Sequence, residues 1–122
     1  QADLASLFLP HDCTQHDLSD THLRVDVLAM DILEATKLLA DEHYYPCLLN
    51  MANATSPGGS VELGVGAQEE ELCRRSNLLK SLQRLQEDSL YPLPSGGAAY
   101  SPSVCFFRSS GEDGYAWWGS RC

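Results

Sequence analysis

Between an apolar run, Cys47 to Ala52, and a helix-patterned segment starting near Gln68, the chain inserts a stretch rich in Gly, Ser, Thr and Asn. This stretch, Asn53 to Ala67, contains Pro57-Gly58-Gly59-Ser60 and Gly64-Val65-Gly66. Glycines open backbone conformations closed to other residues, so the stretch reads as a loop and the core must come from its flanks. Upstream, the short apolar run bounded by turn residues predicts a strand covered on both faces. Downstream, Leu72, Leu78, Leu79, Leu82 and Leu85 mark one face of a helix predicted over 68–86, with Glu70 and Arg74 spaced i, i+4. Strand, loop and helix in this order place the loop where α/β folds bind ligands, beyond the carboxyl ends of parallel strands.

The preceding segment completes the pattern. Leu23 to Val27 alternates apolar and polar residues and predicts a half-buried strand. Asp31 with Glu34 three residues on predicts a capping box, followed by a helix to about Asp41 carrying Ile32, Ala35, Leu38 and Leu39. Strand, helix and strand over 23–52 make a βαβ unit and hence a parallel pair. Residues 1–22 lack periodicity and read as an N-terminal arm. Beyond the long helix, 90–103 holds three prolines and Gly96-Gly97 and reads as a loop. Val104 to Phe107 predicts a buried strand, and Gly111 to Gly114 a turn into Tyr115 to Trp118.

With 122 residues, the chain holds one domain or part of one, and 43% hydrophobic content supplies a core. Its 17 acidic against 8 basic residues, a formal charge of -9, repel phosphate backbones, so direct DNA or RNA binding is disfavoured. An anionic ligand must therefore be held locally, by backbone N–H groups. The apolar stretches fall far short of the roughly 20 residues of a membrane span. Five cysteines, Cys13, Cys47, Cys73, Cys105 and Cys122, include no CxxC pair, so reduced thiols and an intracellular location are expected. His11, Cys13, His16 and His22 match no common zinc spacing and read as surface residues, so no metal is expected.

The chemistry concentrates where the loop meets the next helix, at Gln68-Glu69-Glu70-Glu71. Glycines let a backbone approach an anion, and the unpaired N–H groups of a helix's first turn favour negative charge, a plausible cradle for a diphosphate. Neither a Rossmann fingerprint nor a P-loop is present. Acidic residues in a first helical turn are stabilising in themselves, so the glutamates alone do not require a catalytic explanation.

The run Leu48-Leu-Asn-Met-Ala-Asn-Ala-Thr-Ser-Pro-Gly-Gly-Ser60, the Gln68-Glu69-Glu70 triplet, Leu72-Cys-Arg-Arg-Ser-Asn-Leu78 and Tyr100-Ser-Pro-Ser-Val-Cys-Phe-Phe-Arg108 together resemble the microbial-type poly(ADP-ribose) glycohydrolases. The resemblance runs from about Arg24 to Arg108, four blocks in the same order. It implies an α/β, macrodomain-like mixed sheet flanked by helices, truncated in this chain, with 23–122 as the N-terminal part of the catalytic domain. It also implies hydrolysis of ribose–ribose O-glycosidic bonds in poly(ADP-ribose), releasing ADP-ribose, in the reversal of ADP-ribosylation that belongs to the DNA damage response. Glu70 would be the general acid and Glu69 would hold the ribose hydroxyls, with Asn53 touching the same ribose. Gly58, Gly59 and Ser60 with Gly64, Val65 and Gly66 would follow the diphosphate, and Gln68 would fix the loop. No cofactor is implied, and the partners would be ADP-ribose or its polymer, free or on modified proteins, met by a monomer.

The family carries a third glycine where this chain has Ser60, which would weaken activity. The alternatives are an ADP-ribose-binding module without turnover, or a fragment that does not fold alone. Adjacent residues on a helix point about 100° apart, so Glu69 and Glu70 suit one acid and one positioner, with water as nucleophile. Arg74 and Arg75 read as helix-surface charges pairing with Glu70 or Glu71, against a phosphate contact, and Trp117-Trp118 as core or interface. Tyr100 lines the ligand site or packs at a strand entry, and Asn53-Ala-Thr55 is a coincidental glycosylation sequon.

Overall fold

The computed structural model describes residues 6–8 and 24–121. The chain divides into two compact units, one comprising Gln15–Leu49 and the other Gln1–Thr14 with Asn50–Cys122.

In the first unit, helix α1 spans Ile32–Asp41, and the Asp31 side chain caps it by accepting from Leu33 N–H at 2.9 Å. Leu33 is the buried residue of its apolar face. The strand expected over 23–27 does not form: Arg24 to Val27 have no regular structure and are exposed, and Leu23 lies outside the described residues. Alternation encodes only which face would be buried, and among the described residues no strand pairs with this segment.

The second unit carries the short strand β1 (Ser6–Phe8), a single 3₁₀ turn (Val61–Leu63), helices α2 (Gln68–Arg75) and α3 (Leu78–Glu87), and strands β2 (Ala98–Tyr100), β3 (Phe106–Arg108) and β4 (Trp117–Arg121). β1 pairs antiparallel with β2, Leu7 opposite Ala99, and β3 pairs antiparallel with β4 across an irregularity between Phe106 and Arg108. No parallel pair occurs among the described residues, so the expected βαβ unit is corrected to an α/β unit with small antiparallel sheets. Of the expected N-terminal arm, β1 is described; the remainder, including His11, Cys13, His16 and His22, lies outside the described residues.

The strand expected over Cys47 to Ala52 is also absent: Leu49 and Met51 are 74% and 70% exposed, not covered on both faces. The reason is local. Met51 N–H donates to Gln68 Oε1 at 2.7 Å and Asn53 N–H to Glu69 Oε2 at 2.8 Å, so this backbone bonds to side chains of α2 where a strand would bond to a neighbour.

The single helix expected over 68–86 breaks at Ser76-Asn77. Ser76 is extended (φ -147°, ψ -178°), its hydroxyl donates to Leu72 O at 2.6 Å, and it accepts from Leu78 N–H at 3.1 Å. Asn77 N–H donates to Cys105 O and its Oδ1 accepts from Cys105 N–H at 2.8 Å, while Ser76 bridges to Phe106. Short polar side chains thus replace the helical ladder and splice the break onto β3. The apolar periodicity survives the break: Leu72, Leu78, Leu82 and Leu85 are buried and, with Cys73, form the core.

Further expectations shift. The loop over 90–103 contains β2, since Pro92 and Pro94 precede Ala98 and Pro102 follows Tyr100, and the strand expected over 104–107 begins at Phe106, with 104–107 only half-buried. Arg75 is not a surface charge but 2% exposed, with its Nε donating to Arg108 O at 3.4 Å and its guanidinium 5.6 Å from the Trp118 ring centre. Trp117, expected in a core or interface, is largely exposed, with its ring 5.4 Å from that of Phe107.

Candidate functional site

Helix α2 starts beneath the glycine-rich loop, and its first turn turns three side chains back onto that loop. Gln68 holds Met51 N–H. Glu69 spans the loop, accepting from Asn53 N–H on Oε2 at 2.8 Å and from Gly58 N–H on Oε1 at 3.1 Å. Glu70 Oε1 accepts from Ser60 N–H at 2.9 Å, while its Oε2 is buried and accepts from no donor among the described residues. Both glutamates are buried, Glu69 at 3% and Glu70 at 6% exposure. A carboxylate loses much solvation on burial, and amide N–H groups aimed at one oxygen offset part of that loss.

The glycine at 59 is dictated by this closeness, and that at 58 by the approach of the loop to Leu79 of α3. Both have positive φ, +76° and +57°. A Cβ on Gly59 would overlap Glu70 Oε1 and stand 3.3 Å from Glu69 Oε2. Ser60 has φ -110°, open to any residue, so a serine in the third glycine position strains nothing and supplies the N–H that holds Glu70. The loop amides expected to face a diphosphate are engaged here: Gly58 and Ser60 donate to the glutamates and Gly59 to Ser56 O. Gly64, with φ +79°, and Gly66 have open space where a side chain would stand.

Asn53 Oδ1 accepts from Thr55 N–H, Thr55 Oγ1–H and Ser56 N–H at 2.9 to 3.0 Å, a local turn that sets the loop's entry. A cleft of about 290 Å³ is lined by Met51, Ala52, Asn53, Ala67, Gln68, Glu69 and Glu70. Of the residues expected to form the site, Asn53, Gln68, Glu69 and Glu70 therefore converge on one cleft. Gly59 and Ser60 line a second cleft of about 430 Å³ against α3, while Gly64, Val65 and Gly66 line neither. Among the described residues no group of three or more His, Cys, Asp or Glu side chains is placed to hold a metal ion.

The Ser60 N–H, with Glu70's own amide and the charge of Arg74, holds the Glu70 carboxyl below its ordinary value, against the opposing effect of burial. Behind the glutamates, burial and then the charges of Glu69 and Glu70 push the Cys73 thiol up to about 12. Burial and Glu69 do the same to the Tyr91 phenol, whose buried hydroxyl has no partner among the described residues. Tyr91 is 22 positions from Glu69, and no spacing in the sequence pointed to it. Of its two expected partners, Arg74 pairs with Glu71 at 3.1 Å, three residues back, and it also donates to the loop carbonyls of Val61 and Val65.

The family model of the microbial-type PARG catalytic domain, that is, of poly(ADP-ribose) glycohydrolase, matches residues 3–109. The chain belongs to this family. Two solved structures of the family's poly(ADP-ribose) glycohydrolase from Thermomonospora curvata superpose on it. One has a TM-score of 0.70 at 27% identity and covers 95% of this chain and 46% of that one. The other, a glutamate-to-alanine mutant, has a TM-score of 0.69 at 28% identity and covers 95% and 44%. The chain thus spans just under half the length of these structures. Among curated proteins no match is found. The glycohydrolase likeness covers the whole region in which the loop, the Gln68-Glu69-Glu70 turn and Arg74 were located above.

Cysteine chemistry departs from the expected all-thiol state. Cys105 is disulfide-bonded, whereas Cys47 is free and exposed and Cys73 free and buried. Sequence spacing does not encode pairing. A thiol with a value of about 12 is thiolate in only about one molecule in ten thousand at pH 8, so Cys73 will resist alkylation in the folded protein and Cys47 will not. Peptide mapping after iodoacetamide at pH 8, with and without denaturant, checks this: labelling of Cys73 without denaturant contradicts its burial.

Proposed function

We propose that this protein hydrolyses ribose–ribose O-glycosidic bonds in poly(ADP-ribose) on a macrodomain-like scaffold, releasing ADP-ribose and so reversing ADP-ribosylation. The observation that carries the reading is the Glu70 carboxyl, one oxygen fixed by Ser60 N–H and the other buried and without a partner among the described residues, in the wall of a cleft shared with Asn53, Gln68 and Glu69. Cleavage passes through an oxocarbenium-like state, and the departing oxygen must receive a proton as the C–O bond breaks. Glu70 is the group we assign to that proton, through its free Oε2; water then adds to the anomeric carbon, and its proton returns to Glu70. Glu69, gripped by two loop amides, is too constrained to act as a mobile second acid and suits holding ribose hydroxyls, with Asn53 at the same sugar. The Gly64 to Gly66 stretch, the more open of the two, follows the diphosphate, and the Gly58 to Ser60 stretch, whose amides hold Glu69, Ser56 and Glu70 in the free protein, joins it only by exchanging those bonds. No cofactor enters this chemistry.

In the free protein Glu70 is held below its ordinary value, and a bound substrate that excludes water from the cleft removes solvation from the carboxylate and raises it. The acid is therefore made by the ligand. Incubating the protein with labelled poly(ADP-ribose) and resolving the products tests the assignment: release of ADP-ribose supports it. Tight binding without release would make the protein an ADP-ribose reader, and neither binding nor release would remove this substrate class.

A further inference from the structure

By sequence Arg74 is a helix-surface charge pairing with Glu70 or Glu71, and Tyr115 only the residue that follows a turn, yet the three side chains Tyr115, Glu71 and Arg74 form one connected chain. Tyr115 Oη donates to Glu71 Oε1, and the same oxygen accepts from Arg74 Nη1 at 3.1 Å. Arg74 Nη2 then donates to two loop carbonyls, Val61 O at 3.1 Å and Val65 O. These carbonyls bracket the stretch containing Gly64, whose φ of +79° and open surroundings leave it little packing of its own. At the far end, Tyr115 sits in a tight turn with φ +56°, its N–H donating to Ser110 O, and Gly111 lies so close that a Cβ there would stand 3.0 Å from the phenol oxygen. The turn leading into β4 is thus built to present one hydroxyl to the helix that carries the candidate acid. Arg74 and Glu71 are only 18% and 28% exposed at their side chains, so water competes weakly for these bonds.

We propose that Tyr115, Glu71 and Arg74 form a clasp that fixes the Val61 to Val65 stretch over α2, and that they are positioning residues for a diphosphate held at Gly64 to Gly66. The second half rests on the function proposed above; the first does not. Arg74 acts through the loop's carbonyls, which needs its forked donors. A lysine at that position keeps the charge but cannot reach Glu71 and both carbonyls at once. Tyr115 acts through Glu71, at a site 41 residues from Arg74 in sequence.

Amide hydrogen exchange and calorimetric titration with ADP-ribose on the whole protein, for wild type, Arg74→Lys, Tyr115→Phe and the double variant, test both halves. Exchange over 61–66 is expected to speed up in each variant while exchange in α3 stays as in wild type. ADP-ribose affinity should fall about tenfold in Arg74→Lys, which loses the forked contact with the loop itself, and about threefold in Tyr115→Phe, which loses one bond that reaches the loop only through Glu71 and Arg74. The double variant should be little worse than Arg74→Lys, because the two act in series. Unchanged loop exchange in both single variants overturns the clasp, as does faster exchange throughout α3, which marks general loosening. Weakened binding in Arg74→Lys with wild-type binding in Tyr115→Phe assigns Arg74 to the ligand itself and also overturns it. If wild type binds no ADP-ribose, the proposed function fails, while the exchange data still decide whether the clasp holds the loop.

Discussion

Replacing Glu70 by Gln will lower the turnover of poly(ADP-ribose) by about a thousandfold, the middle of the range for loss of a general acid, and leave ADP-ribose affinity within about threefold of wild type. The amide keeps an oxygen for Ser60 N–H, which donates to Glu70 Oε1 at 2.9 Å, so the loop stays in place and only the transferable proton is lost. The pH dependence gives a second, independent readout. The reactive form is the protonated acid, so both kcat and kcat/KM must fall as pH rises through the value that governs each. kcat/KM reports the free protein, where Ser60 N–H holds Glu70 below its ordinary value, and kcat reports the complex, where the covered cleft raises it. The falling limb of kcat is therefore expected at higher pH than that of kcat/KM, and both limbs should vanish in the residual activity of Glu70→Gln. Coincident limbs, or a variant that retains wild-type turnover, would remove Glu70 from the role of acid.

What the sequence made legible and what it hid divide along a physical line. The glycines at 58 and 59 and the Gln68-Glu69-Glu70 turn could be read because their roles are local: positive φ and the start of a helix leave direct marks on residue choice. The α2–α3 segment was readable as apolar periodicity, and its leucines do form the core, but the break at Ser76-Asn77 was not. Serine and asparagine inside a helical pattern signal a break only when a distant partner, here Cys105, is present to take up the freed groups. The strands expected near 23–27 and 47–52 failed for the same reason in reverse: Met51 and Asn53 found side-chain acceptors on α2, and a strand exists only where a second backbone is available. The diphosphate cradle was read as free loop amides, yet in the free protein Gly58 and Ser60 spend theirs on the glutamates. A carboxylate pair folded onto its own loop has no periodic signature, and neither does the reach of Tyr115 to Glu71.

Substituting Ala for Gly59 should lower turnover about a hundredfold, roughly a tenth of the effect of losing the acid, and it isolates geometry from proton transfer. Two costs coincide at this position. The φ of +57° is unfavourable for any residue with a Cβ, at about 1–2 kcal/mol. The added methyl would also overlap Glu70 Oε1, so the carboxyl must move or the Ser60 N–H contact must break. A displacement on the order of 1 Å at a reacting group costs about a hundredfold in rate, and kcat is expected to fall by that amount. Gly64→Ala is the control within the same loop, because its φ of +79° carries the same backbone penalty while nothing stands within 4 Å of the new methyl. The two variants should lose similar stability in urea unfolding, but Gly59→Ala should lose kcat, and Gly64→Ala, beside the proposed diphosphate track, should lose ADP-ribose affinity with kcat largely kept. If both variants lost only stability, or both lost kcat equally, the contact between Gly59 and Glu70 would have no part in setting the acid, and the close approach of loop to helix would serve folding alone.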